Sequence, residues 1–261
     1  MGIFDCYLIC SDIDGTFTGG DRLQENLDAV RYFTENGGHF TFATGRAANH
    51  LRDCGLLPVV NCPACLCNGS VIYDYQSEQL LRETYLHFSI SEFLEACKNQ
   101  MHQMNRLHTI SNGTGSIVVF DRENATAEDL ATNPIKLVCR FDSPEKADAF
   151  QRFAVSHPLF RDTYIRKSWS HGVEFNHASS TKGHALDFLK AHLGNIHTTV
   201  GIGDYENDLP LIAHADIGVA VANAVAPLKQ AADMIVCANQ EAAIKDLIKK
   251  LEVRLQPHRK Y

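Results

Sequence analysis

Two aspartates lie two positions apart directly after an apolar run. The run Tyr7-Leu8-Ile9-Cys10 leads through Ser11 into Asp12-Ile13-Asp14-Gly15-Thr16. Residues i and i+2 of a strand share a face, so the two carboxylates point the same way if the strand continues. They diverge around a common point if the strand ends there. Two like charges so close need a neutralising partner, and Mg²⁺ prefers carboxylate oxygens. A plain polar turn is the alternative, because Asp and Gly both favour turns.

Three further polar signals follow later in the chain. Thr44 opens Thr44-Gly45-Arg46 after a short apolar run, and Lys182 starts a predicted helix. Gly203 then leads into Asp204-Tyr205-Glu206-Asn207-Asp208. Each has a plain structural explanation: a turn, a solvated lysine, and a helix start capped by an acidic side chain. All of them together, in this order, are harder to explain structurally.

Phosphoryl transfer accounts for the whole set, because its catalysis is mostly positioning and charge stabilisation. A carboxylate that attacks a phosphate dianion needs cations beside it. Mg²⁺ held by Asp12, Asp14 and Asp204 would supply one cation, and Lys182 would supply another. The Thr44 hydroxyl and backbone N–H groups around Asp14 to Thr16 and at Gly45 would donate to the phosphate oxygens.

These motifs resemble the haloacid dehalogenase (HAD) superfamily of phosphatases, in particular its Cof-type branch (subclass IIB, with a C2 cap). Asn68-Gly69 and Ala222-Asn223-Ala224 also resemble that branch. The resemblance implies that Asp12 is the nucleophile, which forms an aspartyl-phosphate. It implies that Asp14 is the general acid for the leaving oxygen and then the base that activates water.

The resemblance also assigns the remaining site residues. Mg²⁺ would be bound by an Asp12 oxygen, the Asp14 backbone carbonyl and Asp204, with Asp208 bound directly or through water. Lys182 would act in catalysis and hold the phosphate. The other expected phosphate or substrate contacts are Gly15, Thr16, Thr44, Gly45, Arg46, Asn68 and Asn207. Arg46 could instead pair with a carboxylate, and Glu174 and Asn176 could meet the substrate.

The order of the predicted elements places these residues at strand ends. Alternating apolar runs and helical patterns up to Cys67 indicate βαβαβ and a parallel sheet, whose functional groups gather where strands end. The pattern changes to helices with strand pairs and returns after Asn176. We therefore expect an α/β fold, a Rossmann-like parallel-sheet HAD core with an inserted smaller α+β cap. The expected division is core 1–82, cap 83–177 and core 178–261. Within the cap we expect a helix over Ser89 to Met104 and a loop over Glu123 to Asn133.

Composition narrows the partners. The 261 residues are 45% hydrophobic, with a net charge of −7 and no long basic run, so we expect no nucleic-acid partner. The first apolar run is too short for a signal peptide or a membrane span. We expect a cytoplasmic monomer or small homo-oligomer. Nine cysteines cannot all pair, and Cys62, Cys65 and Cys67 lack a fourth ligand nearby, so their role is left open.

The expected substrate is a small phosphorylated metabolite such as a sugar phosphate, with its leaving group unspecified. A phosphotransferase or phosphomutase would pass the phosphoryl group to another hydroxyl and share the same motifs. A non-catalytic regulatory protein of the same fold would be favoured if Asp12, Asp14 or Lys182 were missing, and all three are present. A receiver-type signalling domain would need about half this length and would lack the motif at Asp204.

Overall fold

A computed structural model of the chain describes residues 2–115 and 117–255. Its strands are β1 (Tyr7–Ser11), β2 (His39–Phe42), β3 (Ala64–Leu66), β4 (Val71–Asp74), β5 (Gln79–Glu83), β6 (Arg106–Ile110), β7 (Val118–Val119), β8 (Lys136–Arg140), β9 (Thr163–Trp169), β10 (Gly172–His177), β11 (Thr198–Gly203), β12 (Ile217–Val221) and β13 (Met234–Val236). Its α-helices are α1 (Leu23–Glu35), α2 (Ala48–Asp53), α3 (Ile90–Ala96), α4 (Ala127–Ala131), α5 (Pro144–Ser156), α6 (Lys182–Leu193), α7 (Leu209–His214), α8 (Ala226–Ala231) and α9 (Ala243–Leu255).

The first sheet is parallel and has the strand order β13-β12-β11-β1-β2. Its inner strand β1 is apolar and buried from Leu8 to Cys10, as expected of a strand covered on both faces. Ala43 and Cys65 form an isolated parallel β-bridge, which places β3 beside β2. β3 then pairs antiparallel with β4, and β4 with β5. The predicted α/β fold with a parallel-sheet core is confirmed.

The second sheet is antiparallel, with the order β7-β6-β8-β10-β9. It lies between β5 and α6 in the chain, with α3, α4 and α5 in the same stretch. A separate hydrophobic cluster that runs from Leu86 to Phe175 packs this part, and Phe93, Phe150 and Phe160 are among its buried rings. We call this sheet with its helices the cap. The division at 83 and 177 stays a prediction.

Two predicted elements of the cap were wrong. The helix expected over Ser89 to Met104 is α3, which ends at Ala96, and only a single 3₁₀ turn (Met101–Gln103) follows. The loop expected over Glu123 to Asn133 contains α4. The Thr126 side chain accepts the Asp129 N–H, and the Asp129 carboxylate accepts the Thr126 N–H, so a capping box starts this short helix.

No helix in the described part of the chain is long and apolar enough to cross a membrane.

Candidate active site

A buried lysine joins two carboxylates at the end of the parallel sheet. Lys182 Nζ lies 2.6 Å from Asp12 Oδ1 and 2.6 Å from Asp208 Oδ1. Lys182 is the first residue of α6, where the Thr181 side chain accepts the His184 N–H at 3.2 Å. Burial alone favours the neutral amine, but Asp12 and Asp208 together raise the pKa of Lys182 above its usual range. The ammonium therefore stays charged between the two carboxyl groups.

Three carboxylates meet beside this lysine. One oxygen each of Asp12, Asp204 and Asp208 lie within 4.8 Å of one another. The Thr16 hydroxyl donates to Asp204 Oδ1 at 2.8 Å, which fixes that side chain. Burial raises the pKa of Asp12 well above its usual value, and burial with the nearby Asp208 raises that of Asp204 to about 6. A divalent cation bound between these oxygens would favour the ionised carboxylates and so offset the cost of burying their charges.

Asp208 has less room for a direct metal contact than its neighbours. Its Oδ2 accepts the backbone N–H groups of Asp204 at 2.9 Å and of Tyr205 at 3.1 Å, and its Oδ1 accepts from Lys182. Both of its oxygens thus already have protein donors. Asp12 and Asp204 are the better candidates for direct ligands, and their hard oxygen donors fit Mg²⁺. Asp208 is placed to orient the lysine and the turn that carries Asp204.

Asp14 points away from this cluster. Because β1 ends at Ser11, the alternation of a continuous strand no longer holds, and the two aspartates diverge. The Arg46 guanidinium donates to Asp14 through Nε at 2.9 Å and Nη2 at 2.6 Å, in a two-pronged ion pair. The Asp14 side chain is 64% exposed and lines the cavity described below. Of the two roles considered for Arg46, the structure shows pairing with a carboxylate.

Gly15 lies directly against Asp204. A Cβ at Gly15 would lie 2.5 Å from Asp204 Oδ2, and the backbone there has φ +84°. Both the space and the backbone angle therefore require glycine. The Gly15 carbonyl accepts the Asn223 Nδ2 at 2.8 Å, which ties the predicted Ala222-Asn223-Ala224 motif to this loop.

The loops after β2 and β3 meet next to the cluster. Thr44 is buried, its hydroxyl accepts the Arg46 N–H at 3.2 Å, and its carbonyl accepts the Asn68 N–H at 2.9 Å. Asn207 Nδ2 donates to Asn68 Oδ1 at 3.2 Å. Asn68 itself has φ +58°, a left-handed conformation that Asn tolerates better than most residues. The structure thus brings Thr44, Asn68 and Asn207 together, as the strand-end rule predicts.

The cap contributes a residue that the sequence reasoning missed. Lys136 is buried, forms an ion pair with Glu174 at 2.8 Å, and donates to the Gly45 carbonyl at 2.9 Å. Glu174 accepts from Asn68 Nδ2 at 2.6 Å and from the Ser168 hydroxyl. Burial opposes the charge of Glu174, but Lys136 and these donors lower its pKa below the usual value. A lysine directly before the apolar run Leu137-Val138-Cys139 was the available signal.

Core and cap enclose one cavity of about 400 Å³. Seven of the predicted site residues line it from the core, namely Asp12, Asp14, Thr44, Gly45, Arg46, Asp204 and Asn207. The lining residues from the cap are His108, Ile117, Lys136, Val138, Arg140, Ser168, Trp169 and Glu174. The predicted site residues Gly15, Thr16, Asn68, Lys182 and Asp208 do not line this cavity and support those that do.

The cysteines form no comparable site. All nine are free, and Cys62, Cys65 and Cys67 are buried. Burial raises the pKa of the Cys65 and Cys67 thiols to about 12, which keeps them protonated and unreactive. Within residues 2–115 and 117–255, the aspartate cluster is the one group of three or more Asp, Glu, His or Cys side chains close enough to share a metal ion.

Comparisons with known proteins agree on one family. A family model described as haloacid dehalogenase-like hydrolase matches residues 9–248. A Streptococcus pyogenes serotype M6 protein with a provisional phosphatase name is 28% identical over 93% of this chain and 97% of its own length. The pyridoxal phosphate phosphatase YbhA of Escherichia coli is 22% identical over 92% of this chain and 97% of its own.

Solved structures share the whole fold. A structure titled as a sugar phosphatase of HAD subclass IIB has a TM-score of 0.77, with 18% identity, 95% of this chain and 99% of that chain covered. At that identity the likeness shows the fold.

Proposed function

The chain belongs to the haloacid dehalogenase-like hydrolases, and we propose that it is a Mg²⁺-dependent phosphatase that hydrolyses a small phosphomonoester through an aspartyl-phosphate. The observation that carries this proposal is the position of Asp12. Its Oδ1 is held by Lys182, its neighbour Asp204 is within metal-sharing distance, and it lines the cavity between core and cap. A buried carboxylate with a fixed cation on one oxygen is suited to act as a nucleophile.

Two displacements at phosphorus complete the reaction. In the first, an Asp12 oxygen forms a bond to phosphorus while the bond to the leaving oxygen breaks, and Asp14 gives that oxygen its proton. In the second, water attacks the phosphorus of the aspartyl-phosphate, Asp14 takes a proton from the water, and the Asp12–phosphorus bond breaks to release phosphate. Asp12 and Asp14 then return to their starting states. The position of Asp14, which lines the cavity, supports its acid–base role.

Charge stabilisation comes from groups that are already in place. Lys182 stays charged beside Asp12, and the Thr44 and Gly45 segment borders the cavity. Asp12 and Asp204 would bind Mg²⁺, with Asp208 fixing their surroundings. When bound, the metal ion offsets the negative charge of the transferring group and of the clustered carboxylates.

The size of the cavity supports a small-molecule substrate. A volume of about 400 Å³ lies within the range of small-ligand pockets. One of the similar proteins named above is a pyridoxal phosphate phosphatase and another is a sugar phosphatase, and both names indicate small phosphomonoester substrates. We further propose that the protein works in the cytoplasm as a monomer or small homo-oligomer. The free cysteines fit a reducing compartment.

The test is phosphate release from p-nitrophenyl phosphate and a panel of sugar and cofactor phosphates, with Mg²⁺ and with EDTA. Release should need Mg²⁺, fall to background in Asp12→Asn, and fall by about 10² to 10⁴-fold in Asp14→Asn. The matched control is Asp21→Asn, an exposed aspartate just beyond the first motif, which should keep full activity. Activity that persists in Asp12→Asn contradicts the nucleophile assignment.

Product analysis separates hydrolysis from transfer. With an added sugar acceptor, a phosphatase releases inorganic phosphate at an unchanged rate. A phosphotransferase or phosphomutase would instead give a new phosphorylated sugar. No turnover of any ester with Mg²⁺ would favour the non-catalytic alternative.

A further inference from the structure

One cation that lines the cavity has no acidic partner. Of the lysine and arginine side chains in the lining, Arg46 is paired with Asp14 and Lys136 with Glu174. Arg140 forms no salt bridge with any residue in the described part of the chain. Its guanidinium instead stacks on the Trp169 ring, 5.5 Å from the ring centroid. An exposed, unneutralised guanidinium that stacks on a ring of the cavity wall is a ready site for an anion.

The strand register brings more positive charge to the same place. Arg106 of β6 is directly opposite Arg140 of β8, and the two like charges across an antiparallel pair are unfavourable without a counter-charge. His108, two residues along β6, is buried and lines the cavity. Its Nδ1 has no hydrogen-bond partner among the residues that the structure covers. We call Arg106 and Arg140 the cap cation cluster. His108 borders it as a neutral side chain, because burial and the nearby arginines lower its pKa below the usual value.

The rest of this wall gives a substrate hydroxyl few free acceptors. Glu174 is the one carboxylate that the cap adds to the lining, and its oxygens are bonded to Lys136, Asn68 and Ser168. The Trp169 ring lies over Gly172, where a Cβ would come within 2.1 Å of the ring. Gly172 is also the strand partner of Arg140, so Trp169 reaches across the glycine towards the arginine. This wall is therefore cationic and apolar.

We propose that the cap cation cluster is a second anion subsite, in which Arg140 binds a negatively charged group on the leaving-group side of the substrate. The preferred substrates are then phosphomonoesters with a second anionic group, a carboxylate or another phosphate. This inference rests on the proposed phosphatase function and specifies its substrate class. Trp169 holds the guanidinium in place and offers its ring to the carbon skeleton. Arg106 reinforces the positive potential.

The test compares esters that differ only in this charge. One pair is 6-phosphogluconate with sorbitol 6-phosphate, and a shorter pair is 3-phosphoglycerate with glycerol 3-phosphate. In a third pair, fructose 1,6-bisphosphate and fructose 6-phosphate, the additional anionic group is a phosphate instead of a carboxylate. This pair shows which of the two anions the subsite prefers. Each is assayed with wild type, Arg140→Gln, Arg140→Lys and the control Arg152→Gln. Arg152 is an exposed arginine of α5 that does not line the cavity.

Wild type should prefer the more anionic member of at least one pair. Arg140→Gln should raise KM for that member by about tenfold or more, because a charge-assisted hydrogen bond is lost. The kcat of Arg140→Gln for that member should change less than about twofold, because the lost contact is the same in ground and transition states. For the less anionic member of the pair, both KM and kcat should also change less than about twofold. Arg140→Lys should recover part of the affinity, and Arg152→Gln should match wild type.

Different experimental results would contradict the subsite and the phosphatase proposal. Turnover of p-nitrophenyl phosphate with no charge preference in any pair, or an equal effect of Arg140→Gln on both members, overturns the subsite alone. No turnover of any ester contradicts the phosphatase proposal. The subsite is then tested by calorimetric measurement of the binding of the same pairs. Tighter binding of the more anionic member that is lost in Arg140→Gln supports the subsite, and equal binding of both members overturns it.

Discussion

Lys136 and Glu174 form a buried ion pair, 2.8 Å from Nζ to Oε1, between the parallel sheet and the cap. Both residues belong to the cap sheet, and each also bonds to a loop of the core: Lys136 to the Gly45 carbonyl and Glu174 to the Asn68 amide. Those two loops follow β2 and β3 and carry Thr44 and Asn68, which are predicted to bind the phosphate. The pair therefore links the cap side of the cavity to its core side.

Breaking this pair from one side should be costly. Lys136→Met leaves a buried carboxylate and Glu174→Gln leaves a buried ammonium, so each should lower the free energy of unfolding by about 3–5 kcal/mol. The double variant should lose less than the sum, because neither charge is left alone. Urea denaturation of the four proteins measures this. Lys98→Met, which breaks the exposed pair with Glu95, should change little. Additive losses would show that the two residues do not interact.

Gly15→Ala should damage metal-dependent activity. The added Cβ would meet Asp204 Oδ2 at 2.5 Å, so the carboxylate must move from its place beside Asp12. Gly55→Ala is the matched control, since Gly55 also has positive φ (+72°) with nothing within 4 Å of its Cβ. Both variants should lose about 1 kcal/mol of stability from the backbone angle. Only Gly15→Ala should need more Mg²⁺ for half-maximal activity, and equal Mg²⁺ requirements would contradict this prediction.

Metal binding should depend on pH through Asp204. Its pKa in the folded, metal-free protein is raised to about 6, so the folded state holds a proton more tightly than the unfolded state. The stability of the metal-free protein should therefore fall as pH rises from about 4 to about 6. Mg²⁺ binds the ionised carboxylate, so its apparent affinity should rise with pH through about 6.

Thermal unfolding with and without Mg²⁺ between about pH 5 and pH 7 tests this linkage. The increase in Tm on adding Mg²⁺ should be larger at the higher pH. Asp204→Asn should remove most of that increase at both pH values. A Mg²⁺ effect independent of pH would contradict the assignment of Asp204 as a ligand.

Asn68 has a left-handed backbone conformation and its side chain forms hydrogen bonds. Two substitutions separate the effects of these two properties. Asn68→Gly accepts φ +58° freely, whereas Asn68→Ala should be about 1 kcal/mol less stable than Asn68→Gly. Both lose the contacts with Glu174 and Asn207, so both should lower kcat/KM by a similar factor, about tenfold. Glu78→Ala, at φ +55° in an exposed turn, should keep full activity. Different activity losses in the two Asn68 variants would point to backbone strain instead.

Much of the core could be predicted from sequence, because its signals are local. Continuous apolar runs indicate buried parallel strands, and polar residues directly after them indicate the shared edge. That rule predicts that Asp12, Thr44 and Asp204 lie together. Lys182 reaches Asp12, 170 positions away, from the first turn of α6. The placement of the Asp14 side chain depended on where β1 stops, which the apolar run does not specify to the residue.

The contacts made by the cap were harder to predict from the sequence, because they depend on the register of its strands. Lys136 meets Glu174 through the pairing of β8 with β10, and a shift of one residue would turn the lysine to the other face. The row of Arg106, Arg140, Gly172 and Trp169 likewise exists only at this register. α4 was missed because a five-residue helix has too few turns to show a period, and only its capping box indicated it.

The last strand of the cap sheet has a consequence for protein engineering. β10 carries Glu174 and Asn176, which bind the Asn68 segment, and leads through a short link into α6 and its Lys182. Exchanging the cap between relatives at the predicted boundary would replace these two side chains together with the wall that faces the leaving group. A chimera joined before Gly172 would instead import a foreign wall while retaining Glu174 and Asn176, and it must keep Lys136 as the partner of Glu174. Substrate preference could then be transplanted without rebuilding the chemistry beneath it.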